Sequence, residues 1–506
     1  MFADRLVFQK ISREENTEKS TIMIRNIISF SLLMLMQSGN LIANGERPNI
    51  IWIIVEDMSP HFGYNGETLI ETPHVDQLAK DGVVFNRAYV SAPVCSACRS
   101  GLITGMYQTS IGAHNHRSSR GAGEIFLPDG MKTIPEYFRE NGYYVTNQYI
   151  RNDDWERKGK EDYNFVYKSE DLYHGIDWKD RKEGQPFFAQ IHMQGGKNRK
   201  VKLPEMVNPD DVILPPHYPN DFVLREDWAE YLNSVKEVDN SVGRVFERLK
   251  VENLLENTVV FFMTDHGISH ARGKQFCYEE GIHIPLIVWG ESFVGKGVRE
   301  ELVSHIDVAA TSMYLADIPI PKYMESRPLY GKDAKPRSYV ISARDRCDET
   351  VDHIRSVRKG DYLYIRNYLH ERPWLQPNAY KDHKAILIRL RELHEQGKLN
   401  SLQEQLLFSK VRPREELYNV ALDKYQYVNL ASEPNMQKQL KEMRAILANW
   451  EKKTNDKGKN IESEEIYNIE MNEVIKSMEN NPRIASRVII FRENVALMKR
   501  WAAEGK

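Results

Sequence analysis

The chain has 506 residues, 41% of them hydrophobic, with 69 Lys and Arg against 72 Asp and Glu. That length allows a large packed core and sets a prior of two or three folding units. A formal charge of -3 gives no global field for capturing polyanions, which argues against general nucleic-acid binding, and four cysteines are too few for a disulfide scaffold.

In chain order, residues 1–44 read as an N-terminal extension and signal peptide. The apolar run Ile27 to Met36 is preceded by Arg25 and followed by Gln37, Ser38, Gly39 and Asn40. It is shorter than the ~20 residues a membrane-spanning helix needs, which predicts export to the periplasm or medium without stable membrane insertion. The charged stretch ahead of Met23 is unlike the start of a signal peptide, and Met23 is the expected first residue. Pro48 to Val55 is a continuous apolar run ending in Glu56-Asp57, the pattern of a strand buried on both faces with acids at its carboxyl end. Ligands bind at that end of open α/β sheets. Thr258 to Thr264, followed by Asp265-His266-Gly267, repeats the shape, as does Pro186 to Ile191. Helical periodicity at Pro73 to Asp81 and Trp228 to Lys250 lies between them, predicting an α/β domain over 45–330. Short aromatic strands such as Asp361 to Tyr368, then a charged helical run from Tyr380 to Phe408, predict a smaller C-terminal α+β subdomain over 331–455. Residues 456–506, rich in Lys, Glu and Asn, read as a solvated helical tail.

Cys95-Ser96-Ala97-Cys98-Arg99, closed by Thr104-Gly105, resembles the signature of the type I, formylglycine-dependent sulfatases. The resemblance extends through Glu56-Asp57, Gly142-Tyr143 to Gly159-Lys160, Thr264 to Gly267, Gly273-Lys274, Val303 to Asp307, and Glu416 to Asn419 with Asn429 to Ala431. It implies an alkaline-phosphatase-like fold, with a large mixed sheet flanked by helices, and hydrolysis of sulfuric esters. It also implies that a formylglycine-generating or anaerobic maturation enzyme oxidises Cys95. One hydroxyl of the hydrated aldehyde then attacks sulfur, and the other releases sulfate. Glu56, Asp57, Asp265 and His266 match the family's metal ligands, with the modified Cys95 completing the set. Such oxygen-rich donors favour one Ca²⁺ over Mg²⁺. The family usually has Asp where this chain has Glu56. Arg99, Lys160 and Lys274 match the basic residues around sulfate, each charge-assisted hydrogen bond contributing about 1.5–3 kcal/mol. Taken singly, Cys95 reads as a buried or disulfide-bonded thiol and each lysine as a solvated charge; only their motif neighbours point to chemistry. A Cys95 to Cys98 disulfide would block the modification.

The acid that protonates the leaving alcohol is where the chain departs from the family. Asp162 stands two residues beyond Lys160, where many relatives have histidine. Alignment from Phe187-Phe188 places Gln194 at another family histidine, with His192 two residues earlier and on the same face of a strand. His192 is assigned to catalysis and Gln194 and His270 to substrate binding, with His114, His116 and Asp162 next in line. Arg344 and Arg346, with Arg355 and His353, form a basic cluster for the rest of a polyanionic substrate; the alternative is a surface salt-bridged by Asp345, Asp348 and Asp352. The segments around Lys160 and Arg344 resemble carbohydrate sulfatases. The implied substrate is a sulfated saccharide or polysaccharide, of the ulvan-like algal or heparan type. The alternatives are a phosphonate or phosphodiester hydrolase with the same machinery and an unmodified saccharide-binding pseudoenzyme.

Overall fold

In the computed structural model, strand β1 (Asn49–Val55) places Ile50, Trp52 and Ile54 in one hydrophobic cluster and Ile51, Ile53 and Val55 in another. Two-sided burial is what the uninterrupted apolar run predicts. The structure describes residues 47–119, 123–151, 154–332 and 334–506, so the signal-peptide reading of 1–44 lies outside the described residues. Residues 47–506 form one compact unit.

Strand β1 lies inside an eight-stranded sheet with β2 (Val83–Phe85), β4 (Tyr144–Arg151), β5 (Asp154–Lys158), β6 (Phe187–Met193), β7 (Thr258–Thr264), β9 (Leu286–Trp289) and β10 (Gly297–Arg299). The order is β10-β2-β9-β7-β1-β6-β4-β5. Strands β7, β1, β6 and β4 run parallel, whereas β9 and the edge strand β5 are antiparallel to their neighbours, so the sheet is mixed. Strands β3 (Ala88–Tyr89), β8 (His283–Ile284) and β11 (Val303–Ser304) form a small second sheet.

Helices α1 (Pro73–Asp81), α2 (Cys95–Thr104), α3 (Ile134–Glu140), α4 (Phe222–Val251), α5 (Asp307–Leu315) and α6 (Ala385–Glu395) cover the large sheet. Helices α2, α3 and α5 pack on the face of Trp52, and α1, α4 and α6 on the face of Ile53. The Asp221 carboxylate caps the long α4 by accepting from the Val223 amide at 3.0 Å.

A four-stranded antiparallel sheet follows: β12 (Val340–Arg344), β13 (Ile354–Lys359), β14 (Tyr362–Asn367) and β15 (Glu415–Asn419). One face packs Ile341, Val357, Tyr364 and Leu417 against Leu440, Met443, Leu447 and Trp450 of α7 (Gln437–Thr454), while Ile354, Leu363 and Ile365 on the other face join the main core. Helices α8 (Glu464–Glu479) and α9 (Val488–Ala503) are not the solvated tail that composition predicts. They bury Tyr467, Met471, Ile475, Phe491 and Met498 with Ala379 in a core of their own. Counting charges misses this because the apolar residues recur at helical spacing and share one face.

Candidate active site

The parallel strands β7, β1 and β6 end side by side, with Val55 paired to both Thr264 and Met193. Their following loops therefore meet at the carboxyl edge of the sheet, where α2 begins at Cys95. Asp57 is held at φ 52, a left-handed conformation costly for a residue with a Cβ, and its amide donates to Asp265 Oδ1 at 3.0 Å. The Cys95 Sγ lies 3.0 Å from Lys274 Nζ, 3.1 Å from His266 Nε2, 3.6 Å from Lys197 Nζ and 3.8 Å from Asp57 Oδ1.

Asp57, Cys95, Asp265 and His266 bring one ligating atom each within 4.8 Å of all the others, and all four residues are buried. His266 Nδ1 donates to the Gly267 carbonyl at 2.9 Å, which fixes the tautomer and leaves the Nε2 lone pair facing the cluster. Two carboxylates, an imidazole and the Cys95 position make a donor set that fits a divalent cation. Glu56, expected among these ligands, stands outside the group. Its Oε1 is 2.8 Å from Lys160 Nζ and 3.2 Å from Arg99 Nη2, and its Oε2 is 2.9 Å from Lys197 Nζ. Both of its oxygens are thus engaged by cations.

Arg99, one helical turn after Cys95, braces the acids: Nη2 reaches Asp265 Oδ2 at 3.0 Å and Nη1 donates to His192 Nδ1 at 2.9 Å. Lys160 follows the β4-β5 hairpin, two residues after β5 ends at Lys158. Gly159 has no room for a side chain there, since a Cβ would lie 2.0 Å from Asn147 Oδ1. Lys274 Nζ is 3.2 Å from both Asp57 oxygens and 4.7 Å from the Tyr380 ring centroid.

Lys197 and Tyr380 were not among the expected residues. A signal for Lys197 existed: it follows Gly195-Gly196 at the end of a strand. A Cβ at these glycines would lie 2.4 Å from the Glu56 carbonyl and 2.1 Å from that of Asp57, so only glycine lets this turn lie against the Glu56-Asp57 loop. Tyr380, whose hydroxyl donates to Asp57 Oδ2 at 3.1 Å, lies 323 positions away with no motif around it.

Burial pushes the Cys95 thiol up, but Lys197, Lys274 and Lys160 outweigh it and bring it down to about 6. Burial likewise opposes ionisation of Asp57, and Lys197 and Lys274 hold that carboxyl well below the usual range. The pocket therefore stabilises negative charge at the Cys95 position.

Several expected residues face elsewhere. His192 is fully buried, and burial together with Arg99 keeps it neutral, so it accepts from Arg99 through Nδ1. Gln194 does not share its face. The strand ends at Met193, and Gln194 turns into an αR conformation to line a small depression with Ile150, Met193 and Ser234. His270 is also fully buried, 2.7 Å from Asp227 Oδ2, and burial lowers it to about 4. Arg344 is closed by Asp352, and Arg346 by Glu462 at 2.7 Å, so both are walled in by carboxylates. Cys98 makes no disulfide with Cys95; its thiol donates to the Asp265 carbonyl at 2.6 Å.

The sulfatase family model matches residues 48–318, more than half of the chain. The chain is a member of the sulfatase family. An ulvan-active sulfatase of Formosa agariphila is 32% identical to this sulfatase over 457 residues, covering 80% of this chain and 75% of that relative. Human N-sulphoglucosamine sulphohydrolase is 24% identical over 469 residues, 81% of this chain and 91% of the human enzyme. Among solved structures, a 2-O GAG sulfatase superposes with a TM-score of 0.60 at 19% identity, covering 84% of this chain and 96% of that one. A protein solved in complex with its substrate D-glucosamine-2-N,6-O-disulfate gives 0.57 at 14% identity, covering 81% and 99%. This sulfatase is accordingly an alkaline-phosphatase-like hydrolase of sulfate esters. Among the described residues no helix is long and apolar enough to cross a membrane.

Proposed function

We propose that this sulfatase removes sulfate from a sulfated saccharide or polysaccharide, using formylglycine made from Cys95 and a divalent cation, calcium by its donor set. The observation that carries the chemistry is the placement of Cys95 Sγ among two acids, an imidazole and two lysines at the start of α2. The glycan substrates named for the relatives support the saccharide reading. Oxidised and hydrated, Cys95 would supply an oxygen nucleophile that a thiol cannot replace. A cation held by Asp57, Asp265 and His266 would neutralise charge on the sulfate oxygens.

The chain's other residues do the rest. Lys197 and Lys274 lie on the Cys95 side of the ligand cluster and are fixed as cations by Asp57, so they bind sulfate oxygens and stabilise charge that grows in the transition state. Lys160, held at Glu56, closes the same pocket from the β4-β5 side. Arg99 orients Glu56 and Asp265, and His192 orients Arg99. The run Ile27 to Met36 supports export before or after maturation by a formylglycine-forming enzyme.

The test pairs two measurements. The mass of the Cys95 peptide from protein co-expressed with a maturation enzyme should report formylglycine, and sulfate release should follow on a panel of defined sulfated oligosaccharides. An unmodified Cys95 in protein that still releases sulfate would refute the nucleophile. Activity on phosphodiesters and none on sulfate esters would refute the reaction.

A further inference from the structure

Residues Lys197 to Lys202 read Lys-Asn-Arg-Lys-Val-Lys, four cations in six residues with no acid among them. Basic runs of this length hold sulfated glycans or nucleic acid. The chemistry above uses only Lys197. Arg199 is closed, its Nη2 lying 3.9 Å from Asp227 Oδ2 and 3.0 Å from His270 Nε2. Lys200 and Lys202 are exposed.

These two lysines line a depression of about 210 Å³ together with Arg151, Asn198, Val201 and Glu237. Its one acid is already engaged, since Glu237 Oε1 accepts from Arg244 Nη2 at 2.6 Å. Arg151, Lys200 and Lys202 have no such partner: among the side chains the structure describes, no carboxylate lies within 4.0 Å of their nitrogens. With its ion pairs counted, the hollow keeps three cations for a ligand.

The sheet fixes where this hollow lies. Ile150, Met193 and Val55 pair in one row across β4, β6 and β1. Arg151 follows Ile150 as Glu56 follows Val55, so both stand at the carboxyl edge, two strands or ~10 Å apart. The turn between them serves both places. Lys197 Nζ reaches Cys95 Sγ at 3.6 Å, while Gly195 and Asn198 line a smaller depression that shares Arg151, Asn198, Val201 and Glu237 with the first. Lys200 is three residues past Lys197, so their Cα atoms are at most ~11 Å apart. The Lys197 side chain is 19% exposed, so solvent reaches this flank of the site.

We propose that Arg151, Lys200 and Lys202 form a subsite for a second anionic group, sulfate or carboxylate, on the glycan that carries the scissile ester. This deepens the saccharide reading of the function and rests on it. Lysine ammonium groups on flexible stems turn to anions without demanding one geometry, so the subsite selects for charge along the chain more than for one sugar. With a formal chain charge of -3, the attraction belongs to this edge and not to the molecule as a whole.

The test compares the mature enzyme with its triple variant Arg151→Gln, Lys200→Gln, Lys202→Gln, all at exposed positions outside the catalytic machinery. The probes are 4-nitrophenyl sulfate, tetrasaccharides of ulvan and of heparan sulfate, and an oligonucleotide of equal charge. The triple variant should lose about tenfold in affinity for the better tetrasaccharide, and about tenfold in kcat/KM through KM on whichever is turned over, with 4-nitrophenyl sulfate unchanged within about twofold. The wild-type advantage should shrink as salt rises. A carboxyl-reduced tetrasaccharide that binds like its parent assigns the hollow to sulfate, and one that binds more weakly assigns it to carboxylate. Unchanged tetrasaccharide affinity in the variant, equal losses on tetrasaccharide and aryl ester, or an oligonucleotide bound as tightly as the glycan would overturn the subsite alone. Turnover of 4-nitrophenyl sulfate with none of any sugar ester would overturn the saccharide reading and the subsite with it.

Discussion

Two regions of this sulfatase bury many charges, and they do opposite things with them. At the carboxyl edge of the large sheet, lysines converge on Cys95 and its acids, with Lys160 and Lys197 about one-fifth exposed. Beneath the antiparallel sheet, arginines are locked to acids. Arg412 binds both oxygens of Asp352 at 2.8 Å, and Arg355 binds Asp456 at 2.7 and 3.0 Å and also reaches Asp345. The planar guanidinium is suited to closed bidentate pairs, whereas a lysine ammonium on a flexible stem can turn to a ligand's oxygens. Both sets are ion-paired, and the lesson is that a basic cluster reports a binding site when its cations also face a reacting group, as Lys197 and Lys274 face Cys95 Sγ.

The largest expected effects separate the regions outright. Cys95→Ala should reduce sulfate release to background while leaving the thermal melt unchanged, since it removes the proposed nucleophile's precursor from a well-packed helix start. Sulfate release near the wild-type rate from that variant would place the chemistry elsewhere. Lys274→Ala should lower kcat by roughly 10²–10³-fold on aryl and sugar esters alike, the loss typical of removing one transition-state donor. Chelation should have a comparable effect, reversed by added calcium.

In the arginine region the loss should appear in stability. Arg355→Met strands Asp345 and Asp456 in the interior and should cost about 3–5 kcal/mol in denaturant unfolding, with kcat per folded molecule retained. A loss of activity without a loss of stability would make that cluster part of the site. Smaller effects sharpen the boundary. Tyr380→Phe removes one hydrogen bond to Asp57 and should lower kcat/KM about tenfold. His192→Ala should depress aryl and sugar esters by the same factor, because it loosens Arg99; a defect confined to sugar esters would restore it as the leaving-group acid.

A pH measurement gives the smallest effect. Burial, then the neighbouring Asp348, raises the Glu349 carboxyl to about 8 from an ordinary value near 4.5. The folded state thus binds a proton that the unfolded chain has already lost. This group's contribution to stability is complete below pH 4.5 and falls as pH rises toward 8. Glu349 accepts from the Ala379 amide at 2.6 Å and from Asn494 of α9 at 2.8 Å. Glu349→Gln should therefore flatten the decline of Tm between pH 5 and 8; an unchanged slope would show that Glu349 does not titrate there.

The sequence by itself determined the elements whose side chains answer to local rules. Uninterrupted apolar runs meant strands buried on both faces, and the acids just after them stand together at the carboxyl edge of the sheet. Cys95 and Arg99, one helical turn apart on α2, both reach the site as the motif implies. The tail failed because its composition was read without its period, and Gln194 failed because alternation holds only while the strand continues. Tertiary structure alone decided the remainder. Glu56 is drawn to three cations from three different elements, and Tyr380 meets Asp57 across 323 positions. Arg344 and Arg346 are closed by Asp352 and by Glu462 of the C-terminal segment. The physical reason is the same in each case: whether a charge binds a ligand or is already paired depends on the nearest opposite charge in space, and here that partner usually comes from a distant part of the chain.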